Sequence, residues 1–233
     1  MNDAVLLAAL SEVGFTPTSE QAEQFKTYHA LLTEWNERVN LTAVTDDEGV
    51  AQKHFADSLL ALPYFKGGER VLDLGTGAGF PGVPLLIARP EISLTLMDSV
   101  QKKLDFLAEL LPKLGLSAAI VHSRAEDAAK KTAFRDGFDA VTSRAVAPMN
   151  VLIELTLPFV KPKGAALCFK GPALGEELAI AQKALSELNG KVAEVKAFTL
   201  PWGDRRLAVV QKTAPTPKKY PRQAGKANKQ PLC

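Results

Sequence analysis

The chain is poor in residues that staple or ligate. Its 233 residues include two cysteines, Cys168 within an apolar stretch and Cys233 at the last position, and three histidines. Two cysteines build no disulfide framework, and nothing in the spacing leads us to expect a bound metal. The apolar runs are too short to span a bilayer, and no charged-then-apolar leader opens the chain. The expectation is a cytoplasmic protein with no membrane partner. Acidic residues are missing from the end: residues 211–233 hold six Lys/Arg and no Asp/Glu.

What is present fits a globular protein, with 46% hydrophobic and 23% charged residues. The length suits one α/β domain plus a small extension. Charge is unevenly spread: residues 1–62 carry a net −7, residues 63–210 a net +3 and residues 211–233 a net +6. A basic end suits a polyanion such as nucleic acid. On charge alone a solubilising tail is the plainer reading.

The organising stretch is Val71-Leu72-Asp73-Leu74-Gly75-Thr76-Gly77-Ala78-Gly79-Phe80-Pro81-Gly82. It reads as an apolar strand, a glycine turn and the start of a helix. Gly77, Gly79 and Gly82 satisfy the dinucleotide pattern Gly-x-Gly-x-x-Gly. Three details pull away from it. Asp73 sits at the strand end, glycines recur at 75, 77 and 79, and Pro81 and Pro84 stand where a dinucleotide helix begins. Asp-x-Gly-x-Gly-x-Gly is the pattern of class I S-adenosylmethionine (SAM) methyltransferases. SAM lacks a pyrophosphate and carries a cationic amino group that a carboxylate near the loop receives.

A second strand, Leu94-Thr95-Leu96-Met97, ends in Asp98, twenty-three residues after Gly75. An acid there is placed to accept both ribose hydroxyls of a nucleoside. A helix N-cap is the plainer role for Asp98, and the two can hold together.

In chain order, Ala4 to Val13 predicts a short helix capped by Asn2 or Asp3 and ended by Gly14. Thr18-Ser19-Glu20-Gln21 predicts a capping box. Phe25, Tyr28, Leu32, Trp35 and Val39 form a helical stripe, read as core. Asn40-Leu41-Thr42 breaks that helix, and a further helical piece covers about Asp47 to Leu62. Residues 1–62 thus read as an N-terminal helical cap, residues 63–212 as a SAM-binding domain and residues 213–233 as a basic tail.

Strands are expected at Arg70–Leu74, Ser93–Asp98, Ala118–His122, Phe138–Ser143, Ala165–Lys170, Val192–Leu200 and Arg206–Gln211. Helices are expected at Val100–Leu114, Pro148–Val160 and Leu174–Asn189. Such alternation gives a Rossmann-like α/β fold with a mostly parallel seven-stranded sheet. Only Pro201-Trp202-Gly203-Asp204 separates the last two strands, so they should form an antiparallel edge hairpin.

Ligands in such sheets bind beyond the carboxyl ends of the strands. Those ends supply Ser123-Arg124-Ala125-Glu126, Ser143-Arg144-Ala145 and Lys170-Gly171. Glu126 is placed for an adenine amino group, with the Ala125 backbone beside it; a first-turn acid favoured by the helix dipole is the plainer reading. Arg144 follows an apolar strand and should project into the cleft. The chain lacks an Asn-Pro-Pro-Tyr motif for exocyclic amines and a Pro-Cys pair for pyrimidine carbon; Cys168 reads as buried. An acceptor with its own lone pair, such as guanine N7, remains. It loses no proton on attack, so no catalytic acid or base is expected and positioning carries the rate.

Together these segments resemble the GidB (RsmG) family of bacterial small-subunit (16S) rRNA guanine-N7 methyltransferases. The likeness runs through Trp35-Asn36, Asn40-Leu41-Thr42, His54 with Asp57-Ser58, the glycine loop, Leu96-Met97-Asp98-Ser99, Ser123-Arg124-Ala125-Glu126, Ser143-Arg144-Ala145, Lys170-Gly171 and the end from Tyr220 to Leu232. It departs at Ala78, where the family often has proline, and in the tail, where the family often has proline near Ala227. The resemblance implies methyl transfer from SAM, leaving S-adenosylhomocysteine, to N7 of a guanine in the decoding-centre loop of 16S rRNA. It implies cofactor contacts at Gly75, Phe80, Ala125, Glu126 and Arg144 and a ribose-side acid at Asp98. Asp73, Gly77 and Gly79 join that set from the loop pattern. RNA contacts are read at His54, Lys170, Arg222, Lys226 and Lys229, on 16S rRNA or the 30S subunit, for a monomer without a stable protein partner. Alternatives are a SAM-dependent small-molecule methyltransferase, an NAD-dependent oxidoreductase and an RNA-binding protein with a degenerate cofactor site.

Overall fold

A computed structural model describes residues 1–233. Its strands are β1 (Arg70–Leu74), β2 (Ser93–Asp98), β3 (Ala119–His122), β4 (Phe138–Arg144), β5 (Val160–Lys170), β6 (Gly190–Leu200) and β7 (Gly203–Lys212). They make one seven-stranded sheet in the order β3-β2-β1-β4-β5-β7-β6. β4 runs parallel to β1 and β5, and β2 parallel to β3. β7 is antiparallel to both β5 and β6. This is the expected Rossmann-like sheet with an antiparallel edge hairpin. No helix is long and apolar enough to cross a membrane.

Two compact units divide the chain: residues 1–68 with 76–122, and residues 69–75 with 123–233. In the first, the helix Asp3–Ser11 starts at Asn2, whose side chain accepts from the Ala4 N–H at 2.8 Å. The helix Ser19–Asn36 carries the capping box: Thr18 Oγ1 accepts from Gln21 N at 3.2 Å and Gln21 Oε1 from Thr18 N at 2.9 Å. Each such cap satisfies an N–H that the helix leaves unpaired. Phe25, Tyr28 and Leu32 of the stripe are buried. The rings of Phe25 and Tyr28 meet Phe55 and Phe106: Phe25–Phe55 at 5.0 Å, Tyr28–Phe55 at 5.3 Å and Tyr28–Phe106 at 6.2 Å between centroids. Aromatic pairs of this kind add about 0.5–1.5 kcal/mol each beyond the area they bury.

The helix stops at Asn36 because the Asn36 side chain folds the chain back. Its Oδ1 accepts from Leu41 N and Thr42 N at 2.8 and 3.0 Å, and its Nδ2 donates to Thr42 O at 3.0 Å. The piece beyond is not plain α-helix. Asp47–Gly49 leads into a π-helical Val50–Ala56, then Asp57–Leu59 and a 3-10 turn at Leu62–Tyr64.

In the second unit, β5 begins at Val160, five positions before the expected Ala165. The register against β4 shifts between Phe138↔Val160 and Ala140↔Ala165. Such a bulge interrupts the alternation by which strands are read. The helix expected to reach Val160 ends at Thr156, and the one over Leu174–Asn189 divides into Leu174–Ile180 and Gln182–Glu187. The edge strand β6 is mostly exposed and carries Lys191, Glu194 and Lys196, charges that discourage pairing with another chain.

Residues after β7 fold back onto this unit, which composition did not indicate. Of the six cations in residues 211–233, Lys212, Lys219 and Arg222 pair with Asp136, Glu187 and Glu154. Lys212 is fully buried and also donates to Leu157 O at 2.9 Å. Burial pulls its pKa below the usual lysine value, against the opposing pull of Asp136. Arg135 donates to the backbone oxygens of Thr216, Pro217 and Tyr220 at 2.8, 3.2 and 2.9 Å. Tyr220, Ala227 and Leu232 are buried.

Candidate functional site

In the first unit the site is the glycine turn. Gly79 N and Phe80 N both donate to Thr76 O at 2.9 Å, closing the bend. Gly77 has φ +58° and Gly79 φ +99°, a region costly for any residue with a Cβ. The two glycines serve different ends. A Cβ on Gly77 would meet nothing within 4 Å, so the backbone there lies open to a ligand. A Cβ on Gly79 would sit 2.6 Å from the Tyr28 hydroxyl and 2.8 Å from Val83 Cγ2. Gly79, read from sequence as a ligand-side glycine, is therefore required by packing against Tyr28.

Asp98 closes β2 and is 8% exposed. Its Oδ2 accepts from Gly77 N at 3.0 Å and its Oδ1 from Val100 N at 2.9 Å. It is not the N-cap of the following helix Gln101–Lys113; that position is Val100. Each carboxylate oxygen keeps a second lone pair, so Asp98 has capacity for two more donors beside the open backbone of Gly77. A buried acid with spare acceptor capacity next to an open glycine fits the ribose edge of SAM.

Phe80 is 7% exposed and lies under two rings from residues 1–68. Tyr28 stacks with it at 5.2 Å and 10° between planes, and His54 at 4.5 Å and 20°. His54 also shares a 2.6 Å hydrogen bond with Thr42 Oγ1. The imidazole, read as an RNA contact, thus packs against Phe80 beside the glycine turn.

In the second unit, Asp73 is fully buried at the end of β1, and Thr142, its register partner on β4, donates to it at 2.9 Å. Gly75 follows with φ +69°. Ala125 and Glu126 lie in the short helix Ala125–Ala128. Glu126 is 7% exposed, and its Oε1 accepts from Gly225 N at 2.8 Å. Arg144 ends β4 opposite Phe169 and is half-buried. Sequence reading missed the link between Glu126 and the tail, because 99 positions separate the partners.

Two cations expected at RNA find partners within the protein. Lys170 donates to Glu177 at 2.6 Å and to Ala147 O at 2.7 Å. Arg222 grips Glu154 through Nε and Nη2. Lys226 and Lys229 do line a concave surface, with Gln223, Gly225 and Gln230. Cys168 is fully buried, and burial pushes its thiol up to about 12. It is no nucleophile at ordinary pH.

Sheet order, the bend after β1 and the acid closing β2 define a class I methyltransferase fold. Solved structures of that fold align with the chain. A methyltransferase from Pyrococcus furiosus matches with a TM-score of 0.55 at 14% identity, covering 84% of this chain and all of that one. A predicted O-methyltransferase from Agrobacterium tumefaciens matches with a TM-score of 0.56 at 18% identity, covering 68% and 81%.

The family is set by sequence. The GidB family model, described as rRNA small subunit methyltransferase G, matches residues 21–208. The protein named Ribosomal RNA small subunit methyltransferase G in Leuconostoc citreum is 47% identical over 239 residues, with both chains covered in full. That of Alkaliphilus metalliredigens is 45% identical over 233 residues, with 98% of each covered. The chain belongs to this family.

Proposed function

We propose that this chain transfers the methyl group of SAM to N7 of a guanine in the decoding-centre loop of 16S rRNA. Full-length identity of 47% to a relative named for small-subunit rRNA methylation carries the reading. The buried acid Asp98 beside the open backbone of Gly77 supports the cofactor half of it.

SAM supplies an electrophilic methyl on a sulfonium. The chain's residues supply place and environment. Asp98 accepts the ribose hydroxyls with its spare lone pairs. The open backbone at Gly77, with Gly75 before it, lets the ligand approach, and Phe80 offers apolar surface to the methionine part. The remaining oxygen of Glu126 and the Ala125 backbone take the adenine edge, while Arg144 and Asp73 complete the set. Guanine N7 carries no proton, so no general base is asked of the protein, and alignment of the lone pair with the methyl carbon carries the rate. Lys226 and Lys229 meet RNA phosphates. In this reading residues 63–212 carry the cofactor, residues 1–62 cap them, and the protein works in the cytoplasm as a monomer on its RNA.

The test is incubation with methyl-labelled SAM and either naked 16S rRNA or 30S subunits lacking the modification, followed by nucleoside digestion. Label in 7-methylguanosine is expected, and the two substrates tell which form is used. No label in RNA from folded protein overturns the reading. Each phosphate contact should add roughly −0.7 to the log–log salt slope on single strands.

A further inference from the structure

We infer that Tyr28 is a positioning residue for the cofactor: its hydroxyl and ring, with His54 beside them, hold the glycine loop in its binding conformation. The inference rests on the SAM reading above and adds a group that neither the motif nor the sequence stripe assigned to the site.

Three observations converge on Tyr28. Its hydroxyl donates to the carbonyl of Ala78, between the positive-φ glycines Gly77 and Gly79. Its ring stacks with Phe80, the residue after Gly79, at 5.2 Å. The space a Cβ on Gly79 would fill is occupied by the same hydroxyl. The side chain is fully buried, and a buried phenol without an acceptor is costly. Tyr28 and the bend are therefore mutually dependent. The hydroxyl needs the Ala78 carbonyl in place, and the turn can bring that carbonyl there only because residue 79 is glycine.

The consequence reaches Asp98. The Ala78–Gly79 peptide whose oxygen Tyr28 holds also donates through Gly79 N to Thr76 O at 2.9 Å, and Thr76 O shares its peptide plane with Gly77 N, the donor to Asp98 Oδ2. Rotation of the Ala78 carbonyl would disturb the Gly77 amide and the acid it orients. His54 contributes by packing on Phe80 while Thr42 fixes its ring. The helices of residues 1–68 thus have a task in cofactor binding separate from any contact with substrate.

Tyr28→Phe keeps the ring and removes the donor. S-adenosylhomocysteine affinity, measured by calorimetry without RNA, should fall about tenfold, as expected if loss of the bond leaves the loop in its binding conformation only about a tenth of the time. KM for SAM should rise by a similar factor, with kcat on 30S subunits at saturating SAM within about twofold of wild type. A lower melting temperature with unchanged affinity and KM overturns the inference, because Tyr28 would then be packing alone. So does a fall in kcat at unchanged KM. His54→Leu, which leaves the hydroxyl in place, should weaken S-adenosylhomocysteine affinity without RNA by about threefold, and it decides the matter if Tyr28→Phe does not fold. Wild-type protein that binds no S-adenosylhomocysteine fails the functional reading itself, and the inference with it. Wild-type binding matched by both variants sinks the inference alone.

Discussion

The guanidinium of Arg222 and the carboxylate of Glu154 meet as a fork. Nε donates at 2.9 Å and Nη2 at 2.6 Å, and the Arg222 backbone N–H adds a third bond at 2.8 Å. The Glu154 side chain is 1% exposed. Removing one member of such a pair strands the other charge away from water. Arg222→Ala should therefore cost about 3–5 kcal/mol in chemical denaturation. Arg222→Lys should recover only part, since an ammonium cannot make the planar fork. A loss below about 0.5 kcal/mol, the level of an exposed pair, would show that the fork contributes little.

Arg135 holds the last segment through three backbone oxygens of residues 216–220. Arg135→Ala should free that segment without unfolding the sheet. Limited trypsin digestion should then cut at Lys218 and Lys219 faster than in wild type. Equal rates would mean the segment is held elsewhere. Deleting residues 214–233 should lower stability as well as RNA activity, because it strips partners from Arg135, Glu154 and Glu187.

Asp98→Asn replaces one acceptor oxygen with an N–H donor facing either the Gly77 or the Val100 amide. Loss of a satisfied buried amide costs about 1–3 kcal/mol. S-adenosylhomocysteine affinity should fall by at least about tenfold. A variant that binds as wild type would remove Asp98 from the cofactor site.

His29 gives the protein a mild acid sensitivity. It is 6% exposed, and burial, followed by the nearby terminal amine, holds its pKa below 6.5 despite Asp47. The folded form binds this proton less readily than the unfolded chain does. The stability contributed by the neutral ring is present above pH 6.5 and declines as pH falls through the lower folded value. Denaturation midpoints should drop as pH falls below 6.5, and His29→Gln should flatten part of that slope. An NMR titration placing His29 above 6.5 would refute this.

Cys168 is sealed in β5, whereas Cys233 is exposed. With the buried thiol pushed up to about 12, a thiol reagent at pH 8 should label one cysteine per folded chain and two in denaturant. Two in the native protein would mean that β5 opens readily.

Legibility followed distance along the chain. The capping box at Thr18 and the bend from Gly75 to Phe80 rest on neighbours a few positions apart, and both stand where the pattern put them. The edge hairpin was legible because Pro201 and Trp202 leave no room for a crossover. The π-helical Val50–Ala56 and the bulge at the start of β5 were not legible, since each breaks the period by which helices and strands are recognised.

The residue order by itself determined the alternation of strands and helices, the turn of glycines and the acid that closes β2, because each follows from local backbone geometry and the spacing of apolar side chains. Tertiary structure alone decided what the charges and hydroxyls do. Arg222 met Glu154 across 68 positions, Glu126 met Gly225 across 99, and Tyr28 reached Ala78 across 50. A polar group takes whichever partner folding leaves within about 3 Å, and no local pattern names that partner in advance.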